Sequence, residues 1–358
     1  MKLVKIFIIW IMIALVIELL GFSYLDKYYL APDTTFIAIK IPSVAEPIVQ
    51  KNLIKVSSDV NFSFILSYNG KYALYKEGQT LKILNTINGA VSDIAPENDE
   101  TISFFRWVPE SDRILLVKKQ ASQKKFKMYY YDAKSNDKLV EVRNYMTGSM
   151  EGQEISIPIK NPNAEVVDID LSTYNGVMYV KLLNNGSRDE IYRMDRMANL
   201  QKINAKDLKS NMIGSIVSTK HSEKLVYEDL LHGKIYATGV KTPIMPKNVT
   251  KAVLLGIDSN DDTIYIGEIE KEKVTKVFYG YVEDNTEKWN VIVLNSPVSK
   301  DNVFVGSKGK VYVNNGIDGI VTDIRSGSTI TYTGRLLQIY DEGLFSSSQS
   351  NLQKISFN

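Results

Sequence analysis

A hairpin module that recurs along the chain constrains the fold more than any other feature of this sequence. Its clearest copy spans residues 62–94, where four short apolar segments are separated by three turns, the first of them at Asn69-Gly70. Gly and Asn supply the positive φ that tight hairpins need, and β-branched and aromatic residues favour strands. Four antiparallel strands that recur at a period of roughly 40–45 residues are typical of propeller blades. The module therefore predicts an all-β propeller.

Seven copies of the module follow one another. Their first hairpin turns are expected at 67–70, 108–112, 172–176, 220–223, 258–262, 306–309 and 341–343. The strands after these turns are expected at 72–75, 114–117, 177–180, 225–227, 264–266, 311–313 and 344–345. We therefore predict seven four-stranded blades, with six as the alternative if the C-terminal segment only extends its neighbour.

The last module is incomplete, because residues 336–357 leave room for only three strands. An open sheet edge would invite pairing with other chains. Segments 35–41 and 53–56 precede the first full blade and have no other evident partner. One of them is predicted to become the outer strand of the last blade, so that strands from both ends of the chain close the ring.

The N-terminal segment has the pattern of a membrane anchor. Lys2 and Lys5 precede an apolar run at 6–17, and basic residues on that side place the N-terminus in the cytoplasm. Residues 6–22 would form about 25 Å of helix, enough for a thin or locally adapted bilayer. The alternative is secretion after cleavage near Ser23, because Gly21-Phe22-Ser23 has small residues at its first and third positions.

These observations predict four regions along the chain. They are a cytoplasmic N-terminus at 1–5, a single-pass transmembrane signal anchor at 6–22, a juxtamembrane stalk at 23–33 and an extracytoplasmic propeller at 34–358. Rich usage of Lys, Ile and Asn suggests a bacterium of low GC content.

Composition excludes several classes of function. The net charge of +2 gives no electrostatic case for nucleic acid binding. The absence of cysteine excludes disulfides, thiolate nucleophiles and cysteine-based zinc sites. The two histidines, His221 and His232, fall in turns and are interpreted as exposed turn residues. No nucleophile elbow, P-loop, dinucleotide fingerprint or His-Glu-x-x-His motif is present, so no catalytic residue, cofactor or metal is assigned.

Two aspartates are the candidate site residues. Asp168 and Asp170 flank Ile169 on an inner strand and therefore point to the same face. Because inner strands line the central channel of a propeller, this pair is a candidate site for a cation or a cationic group. The alternative is a hydrated channel lining.

Two further segments invite a functional interpretation. Residues 258–262 place oxygen-bearing side chains as the start of a calcium loop does, but Thr263 and Ile269 occupy the positions that need Gly and Glu. A hairpin turn is therefore favoured there. The insertion at 144–163 is the best candidate for a functional loop, with a plain surface excursion as the alternative.

The run Leu66-Ser67-Tyr68-Asn69-Gly70-Lys71-Tyr72, followed by Tyr75, resembles the Ser-Pro-Asp-Gly-Lys turn of WD40-like propeller repeats, such as those of TolB and of dipeptidyl-peptidase propellers. The resemblance covers residues 57–358, although only this blade is near the pattern and the Trp-Asp dipeptide is absent. It implies a protein-binding or scaffolding role in the cell envelope, with an envelope protein or a wall component as partner. The alternative functions are a hydrolase or lyase sited in the channel, or a ligand sensor.

Overall fold

The computed structural model describes residues 10, 12, 14–22, 24, 51–55, 64–135, 139–144, 153–172, 174–184, 188–258, 260–340, 342–348 and 351–357. The chain divides into two compact units, Met1–Ile48 and Val49–Asn358. In the first unit, residues 14–22 are helical. Within the described ranges, no helix has both the length and the apolar character needed to cross a membrane. Positions 6–9, 11 and 13 of the predicted anchor lie outside the described residues.

The second unit is a seven-bladed β-propeller, as predicted. In chain order, its strands are β1 Lys51–Lys55, β2 Ile65–Leu66, β3 Tyr72–Glu77, β4 Thr80–Asn85, β5 Val91–Ile94, β6 Glu100–Trp107, β7 Arg113–Gln120, β8 Lys125–Asp132, β9 Val140–Glu141, β10 Arg143–Asn144, β11 Gln153–Glu154, β12 Ser156–Pro158, β13 Glu165–Leu171, β14 Met178–Leu183, β15 Glu190–Met194, β16 Leu200–Lys202, β17 Ile213–Ser218, β18 Leu225–Asp229, β19 Lys234–Ala237, β20 Ala252–Ile257, β21 Ile264–Glu270, β22 Lys273–Gly280, β23 Asn290–Val298, β24 Val303–Val305, β25 Val311–Asn315, β26 Ile320–Asp323, β27 Thr329–Thr331, β28 Arg335–Tyr340, β29 Gly343–Ser348 and β30 Asn351–Ser356. Two short 3-10 helices lie at Thr286–Lys288 and Lys300–Asn302.

Each blade is an antiparallel sheet, and the blades follow one another in chain order. Blades 1, 3, 5 and 6 are β2–β5, β13–β16, β20–β23 and β24–β27. Blade 2 is β6, β7 and β8 with β12 as its outer strand, and β9 also pairs with β8. All seven predicted strands after the first hairpin turns lie within or overlap the second strand of their blade.

The ring closes as predicted, with a strand from before the first blade. β1 pairs antiparallel with β30, from Lys51 opposite Ile355 to Lys55 opposite Asn351, and so completes blade 7 with β28 and β29. The other candidate for this role, segment 35–41, lies outside the described residues.

Two predictions about single blades need correction. Blade 4 has three strands in the described part of the chain, β17–β19, where four were predicted. Its outer edge is followed by an irregular segment that contains Pro243 and Pro246, which lack the N–H that a ladder strand needs. One hydrogen bond, from Ile244 N to Ile235 O (2.7 Å), ties that segment to β19. The predicted loop at 144–163 is partly regular, because β12 pairs with β8.

Among the described residues, the hydrophobic core consists of seven clusters, one at each boundary between blades. Leu74 and Leu81 of blade 1 pack with Ile114 of blade 2, for example, and Phe345 of blade 7 packs with Tyr75 of blade 1. Each blade is therefore stabilised by both neighbours, so the ring is expected to be stable only as a whole.

A β-bulge interrupts the first strand of five blades. The register shifts between Ile102 and Phe104, Val166 and Asp168, Ile213 and Ile216, Leu254 and Gly256, and Leu336 and Gln338. A bulge resets the alternation of side chains, and it thereby decides which residues of each inner strand face the next blade.

Candidate functional site

The predicted pair Asp168 and Asp170 lies on β13 beyond the bulge of blade 3. Ile169 between them is buried in the cluster shared with blade 2, so the two carboxylates face the other way, toward blade 4. Asp170 Oδ2 accepts hydrogen bonds from the backbone N and the Oγ of Ser218, both at 2.5 Å. The backbone N–H of Ile216 donates to Asp168.

A charged side chain of blade 2, Arg106, lies next to the same pair. The Arg106 guanidinium donates to the carbonyl of Ile169 and lies 3.6 Å from Asp170 Oδ1. The inner strands of three successive blades are thus joined through Asp170. This arrangement holds blades together, and the role of the pair in lining the channel stays a prediction.

Burial shifts the pKa of two groups in this cluster. Burial raises the pKa of Asp168, and neighbouring Asp170 raises it further, against the lowering effects of Arg106 and Lys181. Burial lowers the pKa of Lys181, whose Nζ donates to the carbonyl of Gly214 at 2.7 Å. Among the described residues, no group of three side chains is arranged to hold a metal ion. Binding of a cation or cationic group by the pair stays a prediction.

The turns between first and second strands lie at the same end of the blades as the turns between third and fourth strands. We call the surface that these turns form the turn face. Hydrogen bonds join neighbouring blades there: Asn69 Nδ2 to Asp112 Oδ1 (3.2 Å), Asn175 Nδ2 to Lys220 O (2.7 Å), Lys220 N to Asp262 Oδ1 (2.6 Å), Gly309 N to Asp258 Oδ2, and Lys354 Nζ of β30 to Gly70 O (3.1 Å). These bonds hold the turns in fixed positions relative to one another.

The turn at 258–262 therefore has a structural role. Asp258 and Asp262 accept hydrogen bonds from blades 6 and 4, respectively, and Asp262 Oδ2 also lies 2.8 Å from Nδ1 of His221. Both histidine side chains are more than half exposed, as their interpretation as turn residues requires.

Exposed aromatic side chains project from the turn face. Tyr68 of blade 1 is 43% exposed and Tyr174 of blade 3 is 71% exposed. Both tyrosines lie in turns that are hydrogen-bonded to the adjacent blade. The opposite face carries Ile317, which is 97% exposed, in the turn between β25 and β26.

A cavity of about 480 Å³ lies on the turn face at the boundary between blades 5 and 6. Tyr265 and Tyr279 are cross-strand neighbours in blade 5, with ring centroids 5.5 Å apart and ring planes 15° from parallel. The guanidinium of Arg325 from blade 6 lies over Tyr279, 4.4 Å from the ring centroid. Burial raises the pKa of Tyr265 to about 12, so its hydroxyl is protonated at neutral pH.

Charged side chains of both signs also line this cavity. Asp258, Asp261 and Asp284 contribute carboxylates, and Lys288 and Lys308 join Arg325 as cations. The sequence singled out only the turn at 258–262, because the other residues come from two blades and meet only after the blades have packed.

The comparisons with known proteins identify the fold. No protein-family model matches this chain, and no curated protein sequence matches it. Among solved structures, a chain of the mitotic checkpoint complex matches with a TM-score of 0.52 and 12% identity, covering 91% of this chain and 99% of that chain.

Two further structures match with similar quality. The Swd1 β-propeller domain of Myceliophteria thermophila has a TM-score of 0.54 and 10% identity, covering 86% of this chain and 100% of that chain. An oligogalacturonate lyase in complex with manganese has a TM-score of 0.56 and 7% identity, covering 87% of this chain and 96% of that chain. The β-propeller fold that the resemblance implies is thereby confirmed, and identities this low carry nothing more.

Proposed function

We propose that this chain is a membrane-anchored, extracytoplasmic propeller that binds another protein of the cell envelope on its turn face. The propeller fold commonly serves as a protein-binding or scaffolding module. The observation that carries the proposal is the turn face itself, where Tyr68 and Tyr174 are exposed on turns that hydrogen bonds hold in place. Aromatic side chains on a rigid support suit protein recognition, because they bury large areas at little cost in conformational entropy.

Site-specific photo-crosslinking tests the binding surface. A photoreactive residue is placed at Tyr174 or at Tyr68, and the control variant carries it at Ile317 on the opposite face. We expect the same partner protein to be crosslinked from both turn-face positions and not from position 317. Equal crosslinking from all three positions, or from position 317 alone, would contradict the proposal.

The anchor is supported by the basic residues before the apolar run and by the length of residues 6–22. Membrane fractionation combined with mass spectrometry of the mature N-terminus tests it. We expect the intact N-terminus in the membrane fraction. A mature chain that begins at Tyr24 would instead establish secretion.

A further inference from the structure

We infer that the cavity between blades 5 and 6 binds a neutral, polyhydroxylated ring ligand, such as a short neutral oligosaccharide. This goes beyond the proposed role in protein binding, because the cavity lies apart from Tyr68 and Tyr174. Its volume of about 480 Å³ falls within the range of roughly 300–1,000 Å³ that is usual for small-molecule sites.

Charge balance argues for a neutral ligand. Three carboxylates and three cationic side chains line the cavity, so it presents no net charge to select an anion or a cation. Asp258 is buried and its carboxylate already accepts from Asn260 and Gly309. The other five charged groups offer hydrogen-bond donors and acceptors to a ligand, together with the amides of Asn260 and Asn290. A ligand that donates and accepts from many hydroxyl groups satisfies such a lining, whereas a ligand of one charge sign would leave half of it unmatched.

The aromatic side chains favour a ligand that contains a ring. Tyr281, which is 42% exposed, provides apolar surface beside these polar groups. The ring of Tyr279 stacks on the buried Tyr265, and Arg325 is held in place over Tyr279. No ion pair of the Arg325 guanidinium or of the Asp284 carboxylate exists among the residues that the structure describes. Both groups are therefore placed to hydrogen-bond a ligand, and cavities of this composition orient ligands through a few polar groups.

Blade 4 provides matched controls for blade 5. Tyr227 and Tyr236 form the same cross-strand pair there, with centroids 5.9 Å apart and planes 24° from parallel. Neither residue lines the cavity described above. For the arginine, Arg196 provides a control in the third-to-fourth-strand turn of blade 3.

The experiment measures binding of maltotetraose, cellotetraose, chitotetraose and mannotetraose to the full-length protein by titration calorimetry. The protein is kept in lauryldimethylamine oxide, because this detergent has no sugar headgroup that could compete. Trigalacturonate serves as the anionic probe. We expect at least one neutral oligosaccharide to bind, and trigalacturonate to bind at least tenfold more weakly.

The variants test where the ligand binds. Arg325→Ala should weaken binding by about tenfold, because it removes hydrogen bonds from a charged donor, and Asp284→Asn should weaken it several-fold. Arg196→Ala and Tyr236→Ala should leave the dissociation constant unchanged. Thermal midpoints within 2 °C of the parent, in each variant used, would show that folding is not responsible.

Three results would overturn the inference: no binding of any neutral probe, preference for trigalacturonate, or equal affinity of the Arg325→Ala, Asp284→Asn and parent proteins. The crosslinking experiment is independent of these results, because it reports on Tyr68 and Tyr174.

Discussion

Removal of β1 should destabilise the whole propeller. Five residue pairs join β1 to β30, which corresponds to about five inter-strand hydrogen bonds. At about 1 kcal/mol net for each bond, the loss is about 5 kcal/mol, a large share of the 5–15 kcal/mol that usually separates folded from unfolded states. Fragment 49–358 has about 310 residues. At about 2.1 cal/mol/K of unfolding entropy per residue, a loss of about 5 kcal/mol should lower its thermal midpoint by roughly 8 °C.

The assay compares fragments 49–358 and 56–358, which differ only by β1 and two residues before it. Trp107 in blade 2 and Trp289 in blade 5 report on unfolding through their fluorescence, and far-ultraviolet circular dichroism reports on all blades. Because neighbouring blades stabilise one another, both signals should shift together to the lower midpoint. Midpoints within 2 °C of each other would refute the argument, and a shift in circular dichroism alone would show that only blade 7 frays.

Three further predictions concern buried polar groups. Trp289→Phe should cost less free energy of unfolding than Trp107→Phe, although both remove packed volume from the core. The buried N–H of Trp289 has no hydrogen-bond partner in the described structure, whereas the Trp107 indole donates to a backbone carbonyl at 2.8 Å. Chemical denaturation should therefore show a difference of about 1–3 kcal/mol between the two variants. Lys118→Met should lower the free energy of unfolding by about 3–5 kcal/mol, because Glu100, whose carboxylate lies 2.7 Å from the Lys118 ammonium, is left buried without its cation. The double variant Lys118→Met with Glu100→Gln should recover much of that loss. The free energy of unfolding of Asp168→Asn should rise relative to that of the parent as the pH rises from about 4 through the raised pKa of Asp168. The reason is that only the parent must then ionise a buried carboxyl. A difference between the two proteins that stays constant from pH 4 to pH 8 would contradict this sign.

Local signals predicted most of the ring. The turn at Asn69-Gly70 and the strand after it follow from residues adjacent in sequence, since Gly70 has a φ of 62° and the strand is apolar. The closing strand was predictable from the number of strands in the last module, because a module with only three strands leaves a sheet edge that another segment must pair with.

Features that depend on several blades were not predictable in the same way. The bulge at Val166–Asp168 has no distinctive residue, and the partner of Asp170, Ser218, lies in the next blade. The sequence indicated that Asp168 and Asp170 share a face, but which blade they face depends on packing. The missing strand of blade 4 did have a signal in Pro243 and Pro246, which the repeat pattern alone does not weigh.

The pairing of β1 with β30 also bears on how freely this chain can be rearranged. Lys51 and Ile355 are register partners, so the end of β30 and the start of β1 are the two arms of a hairpin that lacks only its turn. A short linker between them would turn blade 7 into a continuous four-stranded meander like blade 6. New ends could then be opened in an exposed turn such as the one at Ile317, giving a circular permutant with the same ring and a different first blade. The order in which the blades occur along the chain is thus a matter of connectivity, while the geometry of the ring belongs to the contacts between blades.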